Sequence, residues 1–191
     1  MDEEIELSPV QAFMILLAGV RNRKHIKGKT WLQKEMFLIA KNTKLKEMLD
    51  FEPHLYGPYS ETVDVELENL EVMGLLEEKG NIQLTEEGRK YYKKISEKAS
   101  RQILDLISEI KEELNDLSED ELLAYIYFSF PETTEEAVRL EKIMKNRVKL
   151  AIRLYKKGKV SIGKAADIAD MDVKSFMDYL RSKEIKIPLS L

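Results

Sequence analysis

Twenty residues near the C-terminus, Ser161 to Leu180, constrain the fold of this chain more than any other stretch. Two short helices that cross closely need small residues at the crossing, a turn residue tolerant of positive φ, and apolar residues from both helices to close one core. Ala165 and Ala166 supply the crossing surface, and Ala169, Met171, Phe176 and Tyr179 or Leu180 supply the packing. The turn falls at Asp170, which enters the left-handed region more readily than most side chains but at more cost than Gly. Ser161 and Asp172 each precede a helical segment and can accept a bond from its free backbone N–H groups. The spacing predicts a helix-turn-helix.

Charge sets this segment apart. The net charge of −4 conceals an asymmetry: residues 1–140 carry 18 Lys and Arg against 29 Asp and Glu, a balance of −11, whereas residues 141–191 carry 13 against 6, a balance of +7. Clustered positive charge attracts nucleic acid by neutralising phosphates and releasing counterions, and an acidic remainder repels it. The competing reading is that Lys145, Arg147, Lys149, Arg153, Lys156 and Lys157 are the solvated face of an amphipathic helix.

At 191 residues, 43% apolar and 35% charged, the chain has room for one domain or two small ones with a hydrophobic core. The longest apolar run, Phe13 to Ala18, is far short of the ~20 residues that cross a bilayer. Met1 is followed by Asp2, Glu3 and Glu4 instead of a basic leader, so a cytoplasmic protein without membrane contact is expected. The absence of cysteine excludes disulfides, zinc fingers and thiol catalysis. With only His25 and His54, a metal site would rest on carboxylates. Gly57, Gly74, Gly80 and Gly88 are isolated, so no glycine-rich phosphate loop is present, and no Ser, His and Asp spacing stands out. Neither catalysis nor a cofactor is expected. His54, with Tyr56 and Glu52 near it, invites a catalytic reading, but a lone His in a turn more often serves structure.

From the N-terminus, Ser8 and Pro9 start a helix that carries the apolar run Val10 to Val20. After a basic loop from Arg21 to Lys29, Thr30 can cap a second helix with Trp31, Leu32, Met36, Phe37 and Ile39 or Ala40 on one apolar face. Pro53, Gly57 and Pro58 force a sharp turn, and Ser60 then caps a third helix that turns Val63, Leu67, Leu70 and Val72 or Met73 inward. Gly74 ends it. Leu75-Leu76 and Ile82-Gln83-Leu84, separated by Lys79-Gly80-Asn81, read as a hairpin. Three helices and a small hairpin describe a winged helix. Beyond it, Tyr91 or Tyr92, Ile95, Ala99, Ile103, Leu106, Ile110, Leu114 and Leu117 recur at helical spacing, which predicts one long amphipathic connecting helix that packs on its own chain or pairs with a second copy. Phe128-Ser129-Phe130-Pro131 breaks the pattern. A further stripe, Ala137, Leu140, Met144, Val148, Ala151 and Tyr155, leads into the helix-turn-helix.

Two resemblances follow from these residues. Leu32-Gln33-Lys34, Phe37-Leu38, Tyr56-Gly57-Pro58-Tyr59-Ser60, Leu70, Gly74-Leu75-Leu76, Leu84-Thr85 and Gly88, with Leu123 to Tyr127 and Pro131, resemble prokaryotic "YGPYS" winged-helix proteins related in pattern to the Panacea antitoxin domain, over about residues 8–130. Leu154-Tyr155, Gly158 to Ser161, Gly163 to Ala166, Ile168-Ala169 and Phe176 to Leu180 resemble a family of small prokaryotic helix-turn-helix proteins grouped with antitoxins, over about residues 147–188. These resemblances imply regulatory or antitoxin-like roles without a catalytic site.

The expected architecture is therefore mainly α: a winged helix in 1–90, a helical linker and dimerisation region in 91–134, and a basic helix-turn-helix in 135–191. The expected function is a DNA-binding transcriptional regulator, antitoxin-like and homodimeric. Double-stranded DNA would meet Lys174, Ser175, Asp178 and Arg181 on the second helix and Ser161 and Lys164 on the first. The third N-terminal helix presents Glu61, Asp64, Glu66, Glu68 and Glu71, which repel DNA. The rival reading makes this helix a protein-interaction surface, with Glu61, Asp64 and Glu68 receiving a basic partner such as a toxin.

Overall fold

The computed structural model describes residues 6–185, so the acidic start at Met1 to Glu4 lies outside the described residues. Helix α1 (Pro9–Arg23) begins at Ser8. The Ser8 hydroxyl accepts from the Gln11 backbone N–H at 3.2 Å, and the Gln11 side chain accepts from the Ser8 N–H at 3.0 Å. This reciprocal cap satisfies two otherwise free donors. The basic loop is shorter than expected, because α1 runs to Arg23 and Ile26 forms an isolated bridge with Ile82. Helix α2 (Lys29–Lys41) starts one residue before Thr30, with Gly28 at its cap position at a φ of 127°. It is buried continuously from Leu32 to Ala40, so Gln33, Lys34 and Glu35 lie inside the molecule. Trp31 remains half-buried, its indole N–H donating to the Leu114 carbonyl at 3.1 Å.

Helix α3 (Glu61–Val72) turns Val63, Leu67 and Leu70 inward, but both candidates for a fourth inward position are exposed, Val72 at 89% and Met73 at 36%. Ser60 occupies the cap position without capping. Its main chain is gripped instead by the Gln33 amide, which accepts from the Ser60 N–H and donates to the Ser60 carbonyl, both at 3.0 Å. Gly74 ends the helix. Strands β1 (Leu76–Glu78) and β2 (Ile82–Leu84) pair antiparallel with Leu76 opposite Leu84 and Glu78 opposite Ile82.

The expected long connecting helix is two helices, α4 (Glu86–Lys98) and α5 (Arg101–Asn115). They part at Ala99, and the Ser100 hydroxyl caps α5 by accepting from the Ile103 N–H at 3.3 Å. Both pack against α1, and α5 also covers α2, so Tyr91, Ile107, Ile110 and Leu114 enter this chain's own core. Helix α6 (Glu119–Ser129) follows a Ser118–Glu121 capping box, and a short 3-10 turn, Pro131–Thr133, breaks the chain where Phe130-Pro131 was expected to. The next apolar stripe also splits, at Asn146, into α7 (Leu140–Lys145) and α8 (Arg147–Lys156). Ile143, not Met144, is buried there, and Val148 is only half-buried. Helices α9 (Ile162–Ala169) and α10 (Val173–Ser182) complete the fold. The molecule is mainly helical with a small two-stranded sheet, and its buried apolar residues form one cluster from Val10 to Leu180.

Candidate nucleic-acid interface

The C-terminal pair of helices is built as its residues require. Ser161 caps α9 by accepting from the Lys164 N–H at 3.1 Å, and Asp172 caps α10 by accepting from the Ser175 N–H at 3.0 Å. Asp170 takes the left-handed conformation, φ 61° and ψ 45°, and the next N–H, that of Met171, returns to the Ala166 carbonyl at 3.0 Å. That closure satisfies a carbonyl the helix end would leave free. Ala165, Ala166, Ile168, Phe176 and Leu180 are fully buried. Arg147 reaches across from α8. Its guanidinium donates to the Ile168 carbonyl at 2.6 Å and the Asp167 carbonyl at 3.2 Å, pairs with Asp170 at 3.1 Å, and lies 5.3 Å from the Phe128 ring centre. A cation at a helix C-terminus is favoured by the helix dipole.

Lys174, Ser175, Asp178 and Arg181 share the exposed face of α10. Three of these four are engaged locally: Arg181 bonds to Asp178 at 2.8 Å, and the Ser175 hydroxyl donates to the cap residue Asp172 at 2.5 Å. Lys164 is not part of that face. Its ammonium donates to the Phe128 carbonyl at 2.6 Å and ties α9 to the end of α6, while the Ser161 hydroxyl serves as a cap. The outward face of α10 is thus close to electrically balanced.

The concentrated positive charge lies on the flank, between α8 and α10. Lys149, Arg153 and Lys156 stand at i, i+4 and i+7 on α8, the spacing of one helix face. With Lys145 and Lys183 they border a groove of about 580 Å³ floored by Val148, Ile152, Tyr179 and Ile185. Among the described residues no carboxylate lines it. Lys145 pairs with Glu141 at 2.6 Å, but among the described residues Lys149, Arg153, Lys156 and Lys183 have no ion pair. The other cations of this region serve structure. Lys157 bonds to Glu121 at 2.7 Å and Lys159 to Asp116 at 3.0 Å. Burial acts to raise the Glu121 pKa, yet Lys157 and the Ser118 backbone outweigh it and hold the carboxyl below its usual range. The spacing of Lys149, Arg153 and Lys156 was visible in the sequence. That Lys183 would join them was not, because it depends on how α10 crosses α8.

The acidic helix α3 is less uniformly acidic at its surface than its sequence. Asp64 is half-buried and accepts from Gln33 at 2.8 Å and from the Tyr59 hydroxyl at 3.1 Å. Glu66 accepts from Gln11 at 2.7 Å, and Glu71 from the Glu78 N–H at 2.9 Å. Glu61 and Glu68 remain exposed. His54 stacks on Tyr59 with ring centres 4.7 Å apart, and Glu52 meets Tyr59 through the backbone, its N–H donating to the Tyr59 carbonyl at 2.9 Å. Among the described residues no group of three His, Cys, Asp or Glu could hold a metal ion, and no helix is long and apolar enough to cross a membrane.

Comparison with known proteins bears on the C-terminal unit. No solved structure matches the chain. A UPF0175 protein of Archaeoglobus fulgidus is 36% identical over 69 residues, which cover 35% of this chain and 78% of the relative. The model of an uncharacterised protein family, UPF0175, matches residues 124–191. The match reaches further back than the expected 147–188 and takes in the second half of α6, the helix that Lys157 and Lys164 fasten to α8 and α9. Through this segment, which contains the basic groove, the chain belongs to the UPF0175 family.

Proposed function

We propose that the C-terminal unit binds double-stranded DNA, as the DNA-contacting half of a transcriptional regulator of antitoxin type that carries no catalytic centre and needs no cofactor. The observation that carries this reading is the groove between α8 and α10, where Lys149, Arg153, Lys156 and Lys183 meet no carboxylate among the described residues. Such a row neutralises successive phosphates, while α9 and α10, paired as a helix-turn-helix, bring Lys174 and Ser175 toward base edges. Phosphate contacts then set position, and α10 supplies limited readout. In the N-terminal unit, α1 to α3 followed by the β1–β2 hairpin, with Ile26 bridged to Ile82, have the order of a winged helix. A homodimer would place two copies of α10 on half-sites about one helical turn apart.

The test is fluorescence anisotropy of a labelled duplex with the full chain between about 50 and about 200 mM salt. Four or five neutralised phosphates give a slope of log affinity on log salt near −4. Replacing Lys149, Arg153 and Lys156 together by Gln should bring the slope to about −1.5 and weaken binding more than about tenfold. Absence of binding at about 50 mM salt, or an unchanged slope in the triple variant, overturns the proposal.

A second reading concerns α3. Val65 and Val72 are 48% and 89% exposed and alternate with Glu61 and Glu68 along one face. Exposed apolar residues in line on a helix mark a protein-binding surface, here suited to a basic partner such as a toxin.

A further inference from the structure

We infer that α3 and the Tyr56–Ser60 turn form one docking surface for a basic amphipathic segment of a partner protein, anchored by an arginine laid against the His54–Tyr59 ring pair. This inference rests on the second reading above and adds the anchor to it. Glu61, Val65, Glu68 and Val72 stand at i, i+4, i+7 and i+11. They make a stripe about 16 Å long in which apolar and acidic side chains alternate. Beside its N-terminal half opens a pocket of about 170 Å³, walled by His54, Tyr56, Tyr59 and Thr30 and reaching Asp64. Tyr56, 39% exposed, forms part of its rim.

The pocket is rigid before any partner arrives. Gly57, at a φ of 87°, lies so close to α6 that a Cβ there would come within 2.9 Å of the Tyr127 ring. The Leu55 carbonyl accepts from the Val138 N–H at 3.1 Å, the Pro58 carbonyl from the Lys34 ammonium at 2.9 Å, and Gln33 grips Ser60 on both sides. A preformed site loses little entropy on binding.

Charge selects the anchor. Lys29 and Lys34 also line the pocket, but Lys34 is committed to the Pro58 carbonyl and Lys29 faces Glu78 at 3.7 Å. The phenol of Tyr59 is pushed upward by burial and then by Asp64, Glu61 and Glu68, so the local field at the ring pair is set by carboxylates. Such a field rejects an anionic ligand. A guanidinium offers a flat face to stack on the rings and N–H groups to direct at Glu61, which a lysine ammonium cannot do at once.

The test uses the full chain and two labelled synthetic helical peptides, both with a Leu stripe and Lys elsewhere, one of which carries a single central Arg. The Arg peptide should bind about tenfold more tightly than the all-Lys peptide. His54→Ala, at an exposed position that leaves the fold intact, and Tyr59→Leu should remove that difference while all-Lys binding persists. The double variant Glu61→Gln with Glu68→Gln should abolish binding of both. If neither peptide binds, or the double variant binds as well as the parent, the second reading itself fails. If the double variant loses binding but Arg and Lys peptides bind alike, the surface stands and the anchor is overturned. Self-association in gel filtration that the same double variant dissolves would make a second copy the occupant and overturn the proposal.

Discussion

The two halves of this molecule treat charge in opposite ways. The N-terminal core encloses Lys34, Glu35 and Lys111, at 2%, 0% and 1% exposure, whereas among the described residues from Ile143 onward no buried side chain is charged. In the C-terminal unit Arg147, Lys157 and Lys164 keep to the rim and bond to carbonyl oxygens of neighbouring elements. A charge inside a core is costly unless it is paired or neutralised, so it couples stability to pH. A rim cation does not bear that cost and acts as a fastener. The outward surfaces repeat the opposition, with Glu61 and Glu68 on α3 and an uncompensated row of cations on α8.

The largest expected effect tests the interior charges. The Lys111 ammonium donates to the Leu17 and Ala18 carbonyls at 2.6 and 3.3 Å, but among the described residues neither oxygen of Glu35 has a hydrogen-bond partner. Burial pushes the Glu35 carboxyl up to about 8 against the pull of Lys111 and Lys27, and lowers Lys111 to about 8. Between pH 4.5, where the unfolded carboxyl titrates, and pH 8, the folded chain keeps a proton that the unfolded chain has released. Stability is therefore full on the acid side and falls as pH rises through this window, by on the order of a few kcal/mol. Above pH 8 the sense reverses, because the unfolded chain now holds the extra proton, on Lys111, up to 10.5. Thermal melts followed by circular dichroism should show this loss between about pH 5 and 8, and Glu35→Gln should flatten it. A parent curve already flat would remove the contrast between the halves.

The next effect tests a fastener. Arg147→Met keeps the apolar stem over Phe128 but leaves the Ile168 and Asp167 carbonyls without their donor. Charged hydrogen bonds of this kind are worth about 1.5–3 kcal/mol, and the loss should appear as a lowered urea midpoint with an unchanged slope. The change should be the same at about pH 5 and about pH 8, unlike that of Glu35→Gln. A loss below about 0.5 kcal/mol would show that α9 is held by its apolar face alone.

How much of this was readable beforehand follows the same division. Local signals read well: Ser8 with Pro9, the hairpin around Gly80, the caps Ser161 and Asp172, and the left-handed Asp170 depend on residues within one turn of each other. What failed depended on distant partners. Gln33, Lys34 and Glu35 sit where an amphipathic α2 would face water, and only the covering by α3 and α5 buries them. The break at Ala99 was hidden because Ile95, Ala99 and Ile103 keep helical spacing across it, leaving Ser100 as the one local sign. Ser60 looks like a cap, yet Gln33, 27 positions earlier, takes its main chain. The basic groove was half visible, since Lys149, Arg153 and Lys156 are periodic whereas Lys183 arrives only through the crossing of α10.

The smallest expected effect asks whether a rim charge outweighs the backbone beneath it. Asp170 sits at φ 61°, a conformation that costs an ordinary side chain roughly 1–2 kcal/mol and Asp somewhat less. Asp170→Gly removes that strain but adds about 0.5–1 kcal/mol of unfolded-state entropy. It also removes the ion pair with Arg147, in which the Asp170 side chain is 78% exposed. Exposed pairs contribute about 0–1 kcal/mol, so the three contributions nearly cancel and the Gly variant should melt within about 0.5 kcal/mol of the parent. Asp170→Ala keeps the strain and loses the pair, and should be less stable by about 1 kcal/mol. Urea denaturation of both variants separates backbone from charge, because they differ only in the first. If the Gly variant lost more than about 1.5 kcal/mol, the Arg147–Asp170 pair would be acting as strongly as a buried one, and the contrast between an interior that stores charge and a rim that only fastens would give way at this turn.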